Sequence, residues 1–176
     1  FFGKDPSDII THHEIRIARF KGTTRSEFID SQEIKGSIYR MLEQVEAFFL
    51  RNTRLANKIV EFKRIDIPEY PAEAIREAVI NAIAHRDYGI QLPIECILYT
   101  DAFFVENPGR IIQRSQSVPA HFDLGEFTLD SMPRNSTLIA WLKSMHDEDG
   151  KAYVQVLSEG TKRMRDEMSK LWFHKL

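Results

Sequence analysis

Residues 70–88 read YPAEAIREAVINAIAHRDY, and this stretch predicts the helix on which the fold and the candidate site depend. Pro71 suits the first position of a helix, because the N–H that proline lacks has no intrahelical partner there. Five alanines between residues 72 and 84 favour helical backbone. Gly89 follows as a natural stop. The stretch therefore predicts a helix from Pro71 to about His85.

Four polar side chains recur every fourth residue of this helix: Glu73, Glu77, Asn81 and His85. That spacing places them on one stripe of the predicted helix 71–85, here labelled α2, and the stripe is called the α2 stripe. The rest of the circumference is mostly Ala, Val and Ile, so the helix is expected to be largely buried. The α2 stripe is then either a solvated face or the lining of a cleft. In a cleft, a carboxylate can act as a general base, and an Asn oxygen can join a Mg²⁺ shell that includes phosphate oxygens.

The remaining sequence predicts strands and helices that do not alternate strictly, which favours the α+β class. Residues 22–32 are predicted to be a loop, and residues 110–133 a long loop of the kind that is usually functional. Residues 92–99 and 102–106 are expected to pair as an antiparallel hairpin. The predicted elements are strands at 13–21, 58–65, 92–99 and 102–106 and helices at 33–52, 137–146 and 161–172.

Composition excludes several classes of protein. The chain has 176 residues, 24 Lys+Arg against 26 Asp+Glu and a net charge of −2. This near-zero net charge argues against electrostatic binding of nucleic acid over the whole protein surface. No apolar run is long enough for a membrane span, so no membrane partner is expected. A single cysteine, Cys96, excludes a disulfide framework within the chain and favours a reducing, cytoplasmic setting.

Other reactive side chains receive structural interpretations. Cys96 lies in a predicted strand and is expected to be a small buried hydrophobe. His12 and His13 have no neighbours at metal-ligand spacing, which predicts a surface position. The cluster of Lys162, Arg163 and Arg165 is expected to be a solvated face that could also contact DNA phosphates.

Four motifs, taken in order, resemble a known family. Residues 77–88, EAVINAIAHRDY, resemble the N-box of the GHKL ATPase superfamily. Residues 101–109 (DAFFVENPG), 134–140 (RNSTLIA) and 157–164 (LSEGTKRM) are similar to the motifs that follow it in the divergent ATPase domain of RecG-like and Schlafen-type bacterial proteins. Those proteins are described as transcriptional regulators or as related to ATP-dependent DNA helicases.

The resemblance implies an α+β, two-layer sandwich of the Bergerat type, with a mixed sheet and helices on one face. It implies ATP and Mg²⁺ as cofactors, with Glu77 as the general base and Asn81 as the metal ligand. Residues 110–133 would be the ATP lid. The further cofactor-binding residues implied are His85, Asp87, Asn107, Gly109, Gly160 and Thr161.

In a second functional interpretation, the domain has the same fold but does not bind nucleotide. Asn107 replaces the acidic residue of the adenine box, Ser158 replaces a glycine of the last motif, and Gly125 is the one glycine inside the lid. The first hypothesis is therefore a domain that binds ATP, with hydrolysis left open, in a DNA-associated regulator. The alternative is a degenerate, non-catalytic module for interaction or dimerisation.

The resemblance also divides the chain. Residues 1–25 are similar to the tail of a preceding AlbA-like Schlafen domain, and residues 26–176 are assigned to the ATP-binding domain. The apolar start, Phe1-Phe2-Gly3, predicts a fragment of a longer protein. Contact with DNA is then expected through other domains, and a homodimer is left open.

Overall fold

The computed structural model describes residues 13–60, 63–110, 112–113, 123, 131–146, 150 and 160–175. In chain order the strands are β1 (Ile15–Phe20), β2 (Phe28–Ile34), β3 (Leu55–Val60), β4 (Lys63–Pro68), β5 (Ile94–Leu98), β6 (Phe103–Glu106), β7 (Ile112–Gln113) and β8 (Ser131–Met132). The helices are α1 (Ile38–Asn52), α2 (Ala72–His85), α3 (Ser136–Ser144) and α4 (Gly160–Lys175).

A four-stranded mixed sheet organises the fold, in the order β2-β1-β5-β6. β1 runs parallel to β5 and antiparallel to β2, and β5 runs antiparallel to β6. With helices packed against this sheet, the predicted α+β class is confirmed. The predicted β5–β6 hairpin is also confirmed, and its turn is closed by a bond from the Tyr99 amide to the Ala102 carbonyl oxygen at 2.8 Å.

The core lies on one face of the sheet, because successive side chains of a strand point to opposite faces. Ile15 and Ile17 of β1 are completely buried, whereas the side chain of Arg16 between them is half exposed. Cys96 of β5 is buried on the core side, as predicted. The same core takes in residues of α1, α2 and α3, which therefore cover this face.

The predicted loop at 22–32 is wrong in its second half, and the predicted helix at 33–52 begins too early. Phe28–Ile34 is a strand paired with β1, and α1 begins only at Ile38. Gly36 separates them with φ of 117°, a conformation that favours glycine. The strand escaped detection because two of its inward-facing residues, Asp30 and Gln32, are polar. Asp30 accepts bonds from Arg51 and Asn52 of α1, so hydrogen bonds replace apolar packing there.

The single strand predicted at 58–65 is two strands. β3 and β4 pair antiparallel, with Leu55 opposite Pro68 and Val60 opposite Lys63. The two residues between them, Glu61 and Phe62, are not the Asn-Gly or Asp-Gly residues typical of a two-residue hairpin. No turn signal in the sequence therefore separates β3 from β4.

The other predicted elements are found close to their predicted bounds. α2, α3 and α4 fall on the predicted helices. Most of the predicted lid at 110–133 lies outside the described residues, although β7 and β8 pair near its two ends. The predicted domain boundary at residue 25 falls between the paired strands β1 and β2 and stays a prediction.

Two further observations concern exposure. His13 is buried rather than on the surface, with its Nε2 3.2 Å from the Gly36 carbonyl oxygen. Its neighbour His12 lies outside the described residues. Among the helices described, none has the length and apolar character needed to cross a bilayer.

Candidate functional site

The α2 stripe lies beneath another helix, because α4 packs along α2. Near one end of α4, Arg163 pairs with Glu77. Seven residues later, the ammonium of Lys170 has a raised pKa, caused mainly by Glu167 and more weakly by the charge of Glu73. The amino end of α4 therefore lies beside the middle of α2.

Glu77 is the buried carboxylate of the stripe, with only 6% of its surface exposed. Its Oε2 lies 3.9 Å from Nη1 of Arg163, and its Oε1 lies 3.5 Å from Nδ2 of Asn81. Burial raises the pKa of Glu77, and Arg163 and Asn81 oppose that rise without cancelling it. A carboxylate with a raised pKa is closer to the range in which a general base works at neutral pH.

The carboxyl half of the stripe presents an unsatisfied group. The Nδ1 atom of His85 is buried and has no hydrogen-bond partner within the described part of the chain. Burial lowers the pKa of His85, and the nearby charge of Arg134 lowers it further. The imidazole is therefore neutral at pH 7, and one of its nitrogens can accept a hydrogen bond.

The turn Asn107-Pro108-Gly109 meets the carboxyl end of α2 at backbone distance. The Asp87 amide donates to the Pro108 carbonyl oxygen at 2.8 Å. A Cβ atom at Gly109 would lie only 2.4 Å from the His85 carbonyl oxygen, so only glycine fits there. Asn107 contributes a second unsatisfied atom, since its Oδ1 is buried and unpaired among the described residues.

Asp87 serves the structure of this region. Its carboxylate accepts from the Gly89 amide at 3.0 Å and pairs with Arg134 at 3.2 Å. These contacts hold the segment after α2 against the start of α3.

Asn135 completes the end of α2. Its Nδ2 donates to the carbonyl oxygens of Ile83, Ala84 and Arg86, the last at 2.8 Å. The last carbonyl groups of a helix have no intrahelical partner, so this side chain satisfies them. α3 is thereby fixed against the carboxyl half of the stripe.

Gly160 and Thr161 form the first turn of α4. First-turn amides have no partner within their own helix, and they give that end a partial positive charge that attracts anions. Two residues further, Arg163 already reaches Glu77, so this end of the helix lies beside the buried carboxylate.

The groups present are compatible with a nucleotide and Mg²⁺. Mg²⁺ is commonly held by one or two protein oxygens together with phosphate oxygens, which suits Glu77 and Asn81. The described residues contain no group of three side chains able to hold a metal without such help. The buried, unpaired atoms of His85 and Asn107 are acceptors or donors that a ligand could satisfy.

Comparison with known proteins informs the fold only. No protein-family model matches the chain, and no curated protein matches it. The chain is similar in structure to the DIP2311 protein from Corynebacterium diphtheriae, a structural genomics target, with a TM-score of 0.68 and 20% sequence identity. The match covers 89% of this chain but 30% of that one. The chain thus spans under a third of that protein's length, and the likeness supports the α+β fold and no activity.

Two roles in the site were missed at the level of sequence. Arg163 was expected on a solvated face, but its side chain is 23% exposed and pairs with Glu77. Asn135 was noted only as part of the motif at 134–140, and its side chain caps α2. Both contacts join distant segments, so local spacing carries no signal for them.

Proposed function

We propose that this domain binds ATP together with Mg²⁺ along the α2 stripe from Glu77 to His85, as a divergent GHKL-type domain. The observation that carries the proposal is a convergence on one helix. Glu77, which is bonded to Asn81, lies beside the amino end of α4, while the unsatisfied atoms of His85 and Asn107 lie at the carboxyl end of α2. The amino end of α4 suits the phosphates of a nucleotide, and the hydrogen-bonding atoms of His85 and Asn107 suit its base.

Each residue then has a defined part. The first-turn amides at Gly160 and Thr161 bind phosphate oxygens, and the Asn81 side chain supplies an oxygen to Mg²⁺. Glu77 holds the proton taken from an attacking water. For that role Glu77 must first exchange its contact with Arg163, whose guanidinium is itself a good partner for phosphate.

The wider context of the proposal rests on the order of the motifs. Their likeness to RecG-like and Schlafen-type proteins supports a role in a DNA-associated regulator, with DNA bound by other domains. Nucleotide binding would act by shifting the balance between two arrangements of such a protein.

One observation favours a second candidate, a non-catalytic interaction module. Glu77 is 6% exposed and already faces an arginine, as expected of an internal ion pair between two helices. In that case α4 closes the stripe permanently, and the polar side chains hold α2 and α4 together.

Calorimetric titration of the full chain with ATP and Mg²⁺ separates the two candidates. We expect binding by the parent and weaker binding by Asn81→Ala. Glu73→Ala is the matched control, because Glu73 lies on the same stripe but is exposed and has no part in the proposed site. Absence of heat at millimolar nucleotide would reject ATP binding and leave the interaction module.

Turnover tests the assignment of the base. Glu77→Ala should bind ATP and fail to hydrolyse it. A variant that hydrolyses ATP at the parental rate would remove Glu77 from the mechanism.

A further inference from the structure

A second cavity lies on the opposite side of α2 from the stripe. Its α2 residues are Ala72, Ile75, Arg76 and Val79. They recur at intervals of three and four residues, which defines one helix face. The cavity is about 280 Å³ and lies between α1 and α2. It is called here the α1–α2 cavity.

The walls of this cavity are mainly apolar. Val79 is completely buried, and Val45 and Leu42 of α1 are nearly so. Phe49 and Tyr70 form an aromatic wall, with ring centroids 6.4 Å apart in an edge-to-face arrangement. The remaining wall residues are Leu50, Thr53 and Pro68. A recess of this composition is typical of a small-molecule site, which is mostly apolar with a few polar groups.

An ion pair lies at the edge of the cavity. Arg76 of α2 donates to Glu46 of α1 through Nη2 at 3.3 Å, and both residues line the cavity. The two side chains are unequally held, since Arg76 is 23% exposed and Glu46 is 45% exposed. The glutamate can therefore turn to water at little cost, whereas the arginine stays at the cavity.

We propose that the α1–α2 cavity binds a small amphipathic carboxylate, meaning an apolar chain or ring that bears one carboxylate group. The apolar part lies between Val45 and Val79, and the carboxylate takes the place of Glu46 on Arg76. Among the described residues that line the cavity, Arg76 is the one cation. Its forked N–H groups match a carboxylate. The volume, near the lower end of about 300–1,000 Å³ for ligand sites, suits a small ligand.

Charge variants of the two cavity residues test this assignment. Octanoate is the probe, octan-1-ol its neutral control and octylamine its cationic control, each titrated into the full chain by calorimetry. We expect octanoate to bind more tightly than either control. Arg76→Gln should weaken octanoate binding by about tenfold or more, because a charge-assisted hydrogen bond is lost.

The variant Glu46→Gln should act in the opposite direction. It removes a charged competitor for Arg76, so octanoate should bind several-fold more tightly. Binding of octan-1-ol should not change in either variant. A lack of octanoate binding, equal affinity for octan-1-ol, or weaker octanoate binding in Glu46→Gln would each overturn the proposal.

The location is tested without relying on a core substitution. Nuclear Overhauser contacts should join the octanoate methyl group to the methyl groups of Val79 and Leu42. Contacts to other regions only would overturn the assignment to this cavity. The outcome does not depend on ATP binding, because the cavity and the α2 stripe lie on opposite faces of α2.

Discussion

Arg163 of α4 lies 3.9 Å from the buried carboxylate of Glu77 on α2, and this pair connects two helices that pack against each other. The contact is asymmetric, because Glu77 is more deeply buried than Arg163. The pKa of Glu77 remains raised, because burial destabilises the charged carboxylate more than Arg163 and Asn81 stabilise it. The pair therefore positions α4 without fully stabilising the charge it encloses.

Glu77→Gln should make the stability of the domain less dependent on pH. A raised pKa in the folded state means that folding takes up protons at pH values above the ordinary pKa of a carboxyl group. The contribution of Glu77 to stability is therefore present at low pH and is lost as pH rises through the folded pKa. Urea unfolding at about pH 5 and about pH 8 measures this, and the variant should lose less stability over that interval than the parent. Glu73→Gln is the exposed control. An identical pH slope in parent and Glu77→Gln would contradict the raised pKa.

Arg163→Met should destabilise the domain more at about pH 8 than at about pH 5, because it removes the partner of a buried carboxylate that is charged at high pH. Adding Glu77→Gln to Arg163→Met should restore most of the loss. A double-mutant cycle on the free energy of unfolding gives the coupling between the two residues. Additive effects would mean that the pair contributes nothing to holding α4.

Asn135→Ala should lower the free energy of unfolding by about 1–3 kcal/mol, because the Arg86 carbonyl oxygen loses its donor and the Ile83 and Ala84 carbonyl oxygens each lose one of two donors. The exposed neighbour Ser136 provides the control, and Ser136→Ala should change stability much less. Urea unfolding followed by circular dichroism measures both. Equal stabilities of the two variants would show that the cap is not needed.

Cys96 should resist alkylation in the folded protein. Burial raises the pKa of its thiol to about 12, and the thiolate is the form that reacts. At about pH 8, iodoacetamide should modify the urea-unfolded chain fully while leaving the native chain unmodified. Intact-mass measurement distinguishes the two forms. Rapid modification of the native protein would mean that β5 opens readily.

The strongest local patterns predicted the fold well. The alanine-rich helix with its stripe at four-residue intervals was found as α2, with its predicted end near His85. The hairpin of β5 and β6 was likewise visible in its own residues. Patterns failed where polar groups replaced apolar ones. β2 presents Asp30 and Gln32 to α1, so the alternation that marks a half-buried strand was absent from its sequence.

The candidate site was predictable only in part. Glu77 and Asn81 could be placed on one helix face by spacing alone. The packing of α4 over this face could not be predicted, because an exposed polar stripe and a covered one have the same spacing. Nothing in the sequence of α4 distinguishes Arg163, which pairs with Glu77 of α2, from Arg165, which is exposed.

The sequence by itself determined the helices and the order of polar groups along α2, because hydrophobic periodicity and backbone preferences act over a few residues. Only the tertiary structure decided which of those groups are buried, which lie beside the amino end of α4, and which face a cavity. These properties arise from contacts between segments as distant as Glu77 and Arg163. The burial of a charge depends on what packs over it, and local sequence does not record this.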